Sequence, residues 1–482
     1  MATRIKGRFK VPHVFTLLTG VILVCSLLTW VLPAGQYQRV KRTVGGLERS
    51  VVVPDSYETL QKNYSVRGAF LGDARPGSAS PVSLVGFLSA IPRGMERSSD
   101  IIFFILILGG VFGILQRTGS IVALLSTMQR RFSDSSALLT ILLMTAIAIG
   151  GSTLGMGEEF IPLVPIFLIA SKQMGYDRIY GLALVFLAAE VGFAAATTNP
   201  FTVNIAQGIA ELPLNSAIPF RVVFFFCALA LSVTYVLRYG ARIARDPSAS
   251  FMAHDSFDLG DESAKEVILT WRHILILGSC AAIFILILYA VQTLGWWLAE
   301  MAGGFILMGF VAIFVSRLPA ADAVKAAVEG MEEMVVAALV VGFARGIQVV
   351  LEDAQVLDTL IHSAAMVLRL VPTFLAAEGM LVFQTLLNFF IPSGSGQAAV
   401  TMPLMAPLAD VLGLSRQVAV FAFTCGDGFS NTVIPTSGIL MAMLSLAKIP
   451  YNRWLLFMFP LFLQLLALSA IFLAIAVAIG LS

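Results

Sequence analysis

Long apolar runs with almost no charge are the feature that most restricts how this chain can fold. A helix must carry about 20 apolar residues to cross roughly 30 Å of hydrocarbon. Seven segments meet this requirement, at 13–33, 100–117, 217–238, 273–292, 296–316, 334–350 and 453–479. Only 12% of the 482 residues are charged, about half the usual fraction in soluble domains. The sequence therefore predicts an all-α polytopic membrane protein.

Four further apolar regions are broken by Gly, Ser, Asn or Pro. Residues 136–172 and 375–412 are interrupted near their middle, and we interpret each as a re-entrant hairpin. Residues 179–211 and 417–447 are interrupted before a proline, and we interpret each as a discontinuous helix. Irregular backbone at membrane depth is tolerated only where it is buried in protein or lines a wet cavity. The breaks therefore indicate a binding site.

The two halves of the sequence share a weak internal repeat. Four motifs recur in the same order: AIPRGME (90–96) as AAVEGME (326–332), GGVFGI (109–114) as GFARGI (342–347), STLGMGEEFIPL (152–163) as SGSGQAAVTMPL (393–404), and ATTNP (196–200) as NTVIP (431–435). The spans place an odd number of crossings between the copies, which turns the second copy upside down. Inverted repeats with paired broken helices are typical of secondary transporters.

These patterns predict five regions. They are an N-terminal anchor helix with an external loop or cap (1–80), a first inverted repeat (81–238), a cytoplasmic linker (239–271), connecting scaffold helices (272–317), and a second inverted repeat with the C-terminal helix (318–482). Amphipathic segments at 83–96, 119–131, 319–332 and 353–369 are predicted to lie along the membrane interface.

Lys and Arg residues predict the orientation. The N-terminal tail, the 117–131 segment and the central linker are basic and fall on one side of the predicted topology. Because cytoplasmic loops carry the excess of Lys and Arg, we predict a multi-pass protein of the cell (inner) membrane with a cytoplasmic N-terminus. Its expected partners are the lipid bilayer and a small-molecule substrate, and no basic run suggests nucleic acid.

The residues beside the breaks are the candidate ligands. Free N–H groups and helix N-termini at a break favour an anion, whereas free carbonyls and hydroxyl oxygens favour a cation such as Na⁺. The candidates for substrate or ion binding are Ser152, Thr153, Gly155, Glu158, Glu159, Glu190, Thr197, Thr198, Asn199, Ser393, Gly394, Ser395, Gly396, Asp427, Ser430, Asn431 and Thr432. The side-chain oxygens of Ser430, Asn431 and Thr432 are among those that suit a hard ion such as Na⁺.

Charged residues within apolar segments are costly, so they are functional candidates. The four acids Glu158, Glu159, Glu190 and Asp427 could meet a cationic substrate or carry a coupling proton. Arg345 could bind a substrate carboxylate or act as a structural counter-ion, and we favour the counter-ion. The four cysteines are expected to be buried apolar residues, because no metal-ligand or redox spacing occurs.

Several motifs give the chain a family resemblance. They are LTWVLPAGQY (28–37), GGVFGILQRTGSI (109–121), GGSTLGMGEEFIPLVP (150–165), FIPSGSGQAAVTMPLMAP (390–407) and GDGFSNTVIPTSG (426–438). The chain resembles the C4-dicarboxylate anaerobic carrier-like (DcuC/YfcC) family of the ion transporter superfamily. The resemblance implies a homodimer with a fixed scaffold and an elevator-type transport domain, and Ser-Asn-Thr turns that hold Na⁺ and substrate carboxylates. Thr197-Thr198-Asn199 departs from that triplet.

The leading hypothesis is a secondary active transporter of a small carboxylate-bearing metabolite, driven by exchange or by coupled Na⁺ or H⁺. The internal acids favour a basic amino acid such as arginine or ornithine. The alternative substrate is a C4-dicarboxylate, and the rival class outside transporters is an ion channel. An enzyme is not expected, because no cluster of His, Asp or Cys is evident at membrane depth, and no other cofactor is predicted.

Overall fold

The fold is mostly helical. The computed structural model describes residues 14–44, 47–73, 77–131, 136–253, 257, 268–294, 296–370 and 372–481. Eight helices in this part of the chain are long and apolar enough to cross a membrane. They include all seven predicted spans, and the eighth is Ser136–Leu154, which we had predicted to be one arm of a re-entrant hairpin.

A small β-structured cap follows the first helix, α1 (Val14–Val31). Its strands are β1 (Ala34–Gln36), β2 (Arg39–Val44), β3 (Leu47–Val52) and β4 (Glu58–Leu60), followed by the short helix α2 (Val66–Leu71). Strand β1 pairs with β4 and β2 pairs with β3, both antiparallel. The all-α prediction therefore needs correction in the cap, where two-stranded pairs satisfy backbone groups that no helix covers.

The next elements cover the predicted first repeat, which we call the first copy. They are α3 (Leu84–Arg97), α4 (Ser99–Arg117), α5 (Ser120–Arg131), α6 (Ser136–Leu154), a 3-10 turn (Glu158–Leu163), α7 (Val164–Gln173), α8 (Arg178–Leu182), a π-helical turn (Ala183–Leu187), α9 (Ala188–Ala194), α10 (Val203–Ile209) and α11 (Ile218–Arg245). Two connecting helices follow, α12 (Trp271–Leu294) and α13 (Leu298–Ser316).

The second copy repeats this order of elements. It contains α14 (Ala320–Asp353), α15 (Leu357–Arg369), α16 (Thr373–Leu387), α17 (Gly394–Val411), α18 (Arg416–Ser430), α19 (Gly438–Leu446) and α20 (Tyr451–Ala478). The closing helices α11 and α20 both have 28 residues. In each copy a short helix, α10 or α19, follows the break in the discontinuous helix.

One long helix replaces two predicted segments. We had predicted an interfacial helix at 319–332 and a separate span at 334–350, but α14 is a single helix of 34 residues. The corresponding part of the first copy is divided into α3 and α4, of 14 and 19 residues, at Ser98. The charges between Asp322 and Glu333 suggested a boundary, yet nothing in that stretch breaks a helix, since it lacks Pro and its only Gly is a packing residue.

Glycines bring the long helices of the two copies into close contact. A Cβ on Gly94 would lie 2.3 Å from the carbonyl oxygen of Gly342, and one on Gly330 would lie 2.2 Å from that of Gly109. The contacts pair rising residue numbers along α3 and α4 with falling residue numbers along α14, so α14 runs antiparallel to both helices. Small residues allow membrane helices to approach in this way, and the GxxxG spacings at 109/113 and 342/346 lie at these contacts.

We expect Gly330→Leu to lower the melting temperature of the detergent-purified protein by several degrees. The side chain would overlap the backbone of Gly109 and Gly113, and overpacking of this kind costs about 1–3 kcal/mol. Gly303→Leu is the matched control, because a Cβ on Gly303 in α13 meets nothing within 4 Å. Equal melting temperatures for the two variants would contradict the packing role of Gly330.

Two other expectations change. The predicted linker 239–271 starts as helix, since α11 continues to Arg245, and much of its remainder lies outside the described residues. The cysteines also divide: Cys25 and Cys425 are buried as expected, but Cys227 is exposed and Cys280 is half-buried. An apolar side chain on a membrane helix can face lipid at little cost, so burial in protein does not follow from the sequence.

Candidate functional site

Four breaks in the helices define the candidate site. The first tip is residues 155–157, between α6 and the 3-10 turn, and the second tip is residues 388–393, between α16 and α17. The first unwound segment, residues 195–202, lies between α9 and α10, and the second, residues 431–437, lies between α18 and α19. Each contains predicted site residues, and the structure brings parts of the two copies together here.

Ser152 fastens the end of α6 to the first unwound segment. The buried Ser152 hydroxyl lies 3.1 Å from both the Ala195 carbonyl and the Thr197 hydroxyl, and it accepts a hydrogen bond from the Thr197 N–H. Thr198 donates to the Thr153 carbonyl at 3.2 Å. The Thr153 hydroxyl is bonded to its own helix, at Ile149. These residues therefore fix the backbone of the break.

Gly155 and the two glutamates form the first tip and its continuation. Gly155 has φ +69°, and a Cβ there would lie 2.3 Å from the Asn199 side-chain oxygen, so only glycine fits. Glu158 and Glu159 begin the 3-10 turn and are half-buried. Glu159 accepts a hydrogen bond from the Gly157 N–H at 2.9 Å and faces α12 and α13 across an apolar cavity.

The second tip presents the start of α17. Ser393 caps the helix by accepting the Gly396 N–H. The N–H groups of Gly394 and Ser395 occupy the first helical positions, which have no acceptor within the helix. Because α17 has 18 residues, its N-terminus carries the positive end of a full helix dipole.

Asp427 lies beside this helix start. A Cβ on Gly394 would stand 3.1 Å from Asp427 Oδ2 and 2.7 Å from Thr202 Cγ2. Asp427 is fully buried, and neither of its carboxylate oxygens has a hydrogen-bond partner in the described structure. The buried Thr202 hydroxyl also has none there. A buried carboxylate without donors is costly, so Asp427 is the polar group of this region that the described protein satisfies least.

Asn388 is a residue of the site that the sequence analysis missed. Its amide donates to the Asp427 carbonyl, the Ser430 hydroxyl and the Asn431 side-chain oxygen, each at 2.8 Å. It therefore ties the second tip to the discontinuous helix α18. An asparagine inside the apolar sequence LLNFF was the available signal, since an intramembrane polar side chain needs a partner.

The Ser-Asn-Thr triplet is largely engaged within the protein. The Ser430 hydroxyl donates to the Gly426 carbonyl, and the Thr432 hydroxyl donates to the Phe429 carbonyl, both at 2.6 Å. The Asn431 amide faces the buried carboxylate of Glu190. The hydroxyl oxygens keep lone pairs that a cation could use, and the Na⁺ site at these residues stays a prediction.

Glu190 completes an acidic group at the crossing of α9 and α18. It is buried, and one carboxylate oxygen has no partner within the described ranges. Its charge is repelled by Glu158 and Asp427. Ala194 packs against Gly428 at this crossing, where a Cβ on Gly428 would lie 2.4 Å from the Ala194 Cα. Glu190 therefore lies within electrostatic range of Glu158 and of Asp427, and Glu158 lies within range of Glu159.

Reciprocal contacts join the two copies around the site. A Cβ on Gly157 of the first tip would lie 3.0 Å from Ile439 at the start of α19, and a Cβ on Gly394, just after the second tip, would lie 2.7 Å from Thr202, just before α10. Arg178, which begins α8, reaches the Ala447 carbonyl at the end of α19 at 3.5 Å. The equivalent contact joins Arg416, which begins α18, to the Ala210 carbonyl at the end of α10, at 2.9 Å.

The side-chain contacts of Arg345 lie along its own helix, away from these acids. Its guanidinium donates to Gln348 at 2.7 Å, and the Gln348 amide donates to Glu352. These three residues form a ladder along α14. This ladder leads from Arg345 to the Glu352 carboxylate near the end of α14, so the partner of Arg345 lies on its own helix and not among the four internal acids.

Comparison with known proteins places the chain among membrane carriers. Residues 11–478 match the family described as C4-dicarboxylate anaerobic carrier. The chain is 34% identical over 472 residues to the Escherichia coli (strain K12) protein named "Putative basic amino acid antiporter YfcC", covering 93% of this chain and 92% of that protein. It is 28% identical to an uncharacterized protein of Haemophilus influenzae, with 99% of both chains covered.

Two solved structures align with nearly the whole chain at low sequence identity. The crystal structure of the Alcanivorax borkumensis YdaH transporter is 18% identical, with a TM-score of 0.45 over 97% of this chain and 99% of that one. The second is the structure of Neisseria gonorrhoeae MtrF, which represents a class of antimetabolite efflux pumps. It is 16% identical, with a TM-score of 0.42 over 98% of this chain and 96% of that one.

Proposed function

The chain belongs to the C4-dicarboxylate anaerobic carrier family, a family of membrane transporters, and from this premise we propose that it is a secondary active transporter of a basic amino acid such as arginine or ornithine. The observation that supports the substrate class is Asp427. A fully buried carboxylate with two unpartnered oxygens among the described residues is complementary to a cation, and it would repel a dicarboxylate.

The second tip supplies the opposite complement. The free N–H groups at the start of α17 attract an anionic group, and they lie beside Asp427. A zwitterion can satisfy both features at once, with its carboxylate toward backbone N–H groups and its positive charge toward a carboxylate. Glu190 adds a second acid for a substrate that carries two positive charges, or for a coupling proton.

The C4-dicarboxylate remains the second candidate substrate. The family is described by that name, whereas the Escherichia coli relative is named for basic amino acids. Buried donors near the breaks, among them the Asn199 amide, which has no acceptor in the described structure, favour binding of a carboxylate. If a dicarboxylate is carried, a cation at Asp427 must offset the repulsion, and Na⁺ or H⁺ would serve.

The remaining features of the mechanism follow the repeat. We propose that the two copies are inverted, that each tip belongs to a re-entrant hairpin, and that the tips and discontinuous helices move as an elevator-type unit against a homodimeric scaffold. The antiparallel packing of α14 on α3 and α4 and the reciprocal tip contacts support the inversion. We also propose an inner-membrane location with a cytoplasmic N-terminus.

Counterflow in proteoliposomes tests the proposed substrate. Vesicles loaded with unlabelled arginine should accumulate labelled arginine or ornithine, and both should compete with each other, whereas succinate and fumarate should not compete. Empty liposomes and the Asp427→Asn variant are the controls. Accumulation of succinate with no exchange of arginine or ornithine would reject the basic amino acid and favour the dicarboxylate. Passive current without accumulation would indicate a channel.

A further inference from the structure

Arg221 is a buried cation behind the first unwound segment. It lies on α11 and is 2% exposed. One guanidinium nitrogen makes only long contacts, of 3.5 Å, to the Ala196 carbonyl and the Thr424 hydroxyl, and Nε has no partner in the described structure. No carboxylate oxygen of the described residues lies within 4 Å of it. Its charge is therefore poorly satisfied by the protein.

The second copy has a neutral side chain at the equivalent position. Arg221 is the fourth residue of α11, and Trp454 is the fourth residue of α20. The Trp454 indole N–H donates to the Thr432 carbonyl in the second unwound segment at 2.9 Å, as Arg221 reaches the Ala196 carbonyl in the first. Both positions therefore place a donor on the carbonyl of an unwound segment.

The surroundings of the two side chains also correspond. The Arg221 guanidinium lies over the Phe421 ring of the second copy, 5.8 Å from its centroid. Trp454 packs edge-on against Phe186 of the first copy, with the ring centroids 5.6 Å apart. In each copy, the fourth residue of the closing helix therefore packs against a phenylalanine of the other copy, and only in the first copy is that residue charged.

This difference separates the two roles of Arg221. A neutral N–H is sufficient to hold an unwound segment, because Trp454 does so in the second copy. The positive charge must therefore have another use, since a buried cation without an anion costs several kcal/mol more than a neutral donor. None of the described carboxylates lies within 4 Å of the Arg221 guanidinium. The anion that would balance this charge is therefore expected from a ligand.

We propose that Arg221 is a positioning residue that makes the first unwound segment the carboxylate-recognising side of the site. Its charge would act through space, because the N–H of the Ala196–Thr197 peptide already donates to Ser152, while Asp427 provides the cation-recognising side next to the second unwound segment. The substrate would then be held in one orientation. The inference rests on the proposed function, because it assigns the two ends of that substrate.

The experiment compares ligands that differ only in the carboxylate. Binding of arginine and its decarboxylated analogue agmatine, and of ornithine and putrescine, is measured on purified wild type and on three variants. Arg221→Lys keeps the charge. Arg221→Trp copies the second repeat and keeps only an N–H donor, and Arg221→Gln is a smaller neutral donor in case the indole does not fit.

The wild type and Arg221→Lys should prefer the carboxylate-bearing ligand of each pair, and the preference should fall about tenfold in Arg221→Trp and Arg221→Gln, as for loss of one attraction between opposite charges through the protein interior. Agmatine and putrescine should bind all variants alike. An unchanged preference in both neutral variants, with binding lost equally for both ligands or not at all, would overturn the inference and leave a structural role.

The proposed function fails in a different way. If the wild type binds none of these four ligands but binds succinate, the basic amino acid is rejected, and the same variants are then compared with succinate and its monoamide, succinamate. A selective loss for succinate in the neutral variants would keep Arg221 as a carboxylate-positioning residue. Equal loss of succinate and succinamate would reject it.

Discussion

Asp427→Asn should abolish high-affinity binding of the cationic substrate, weakening it at least about 100-fold. Removing one partner of a buried charge pair costs about 3–5 kcal/mol, and each 1.4 kcal/mol corresponds to a factor of ten. The unliganded variant should melt no lower than the wild type, because its neutral amide replaces a buried carboxylate whose oxygens lack donors in the described structure. Isothermal titration and thermal melting measure the two effects.

Asp410→Asn is the matched control for this prediction. Asp410 lies near the end of α17 and accepts hydrogen bonds from Arg416. Arg416 begins α18, at the opposite end of that helix from Asp427. The Asp410→Asn variant should therefore keep wild-type substrate affinity. An exchanger in which Asp427 carries only a proton would behave differently. Its Asn variant would bind substrate normally but lose pH-driven uptake, and that outcome would reject direct pairing of Asp427 with the substrate.

Gly394→Ala should reduce transport at least about fivefold and lower the melting temperature by a few degrees at most. The added methyl would stand 2.7 Å from the Thr202 methyl and 3.1 Å from Asp427 Oδ2, where it fills the space between the second tip and the first copy. Overpacking costs about 1–3 kcal/mol, and a penalty of this size on a conformation that transport requires corresponds to about a 5- to 150-fold loss of rate. Initial rates of exchange in proteoliposomes provide the measurement.

A second substitution tests the cause of that effect. Thr202→Ser removes the methyl group that Gly394→Ala would strike and keeps the hydroxyl, so the double variant should recover a large part of the lost rate. Thr202→Ser alone should transport at close to the wild-type rate. A double variant as slow as Gly394→Ala would show that contact between Gly394 and Thr202 is not what limits transport.

The membrane character and the breaks were predictable because each depends on local sequence. Uncharged runs such as 100–117 must be helical in lipid, and Gly155 and Ser393 interrupt apolar segments where no packing reason is evident. The glycine contacts were also predictable, since Gly109 and Gly342 are each followed four residues later by another glycine, a spacing typical of helix packing. Composition and periodicity were sufficient for these features.

The remaining features depend on contacts between residues far apart in the chain. Arg221 appeared only as one charge in a predicted span, and its role became visible beside Ala196 and Phe421. Asn388 carries no motif of its own. The boundary predicted between 319–332 and 334–350 was wrong because charged residues can continue a helix into water, and charge alone does not end a helix.

The undivided helix α14 has a mechanical consequence. Its 34 residues measure about 51 Å at 1.5 Å per residue, well beyond the roughly 30 Å of hydrocarbon. The apolar part of α14 and its charged part before residue 334 share one axis. Any tilt of the apolar part therefore also moves the charged end relative to the bilayer surface. The first copy, divided at Ser98, can bend at that point, so changes in bilayer thickness would act on the two faces of the protein unequally.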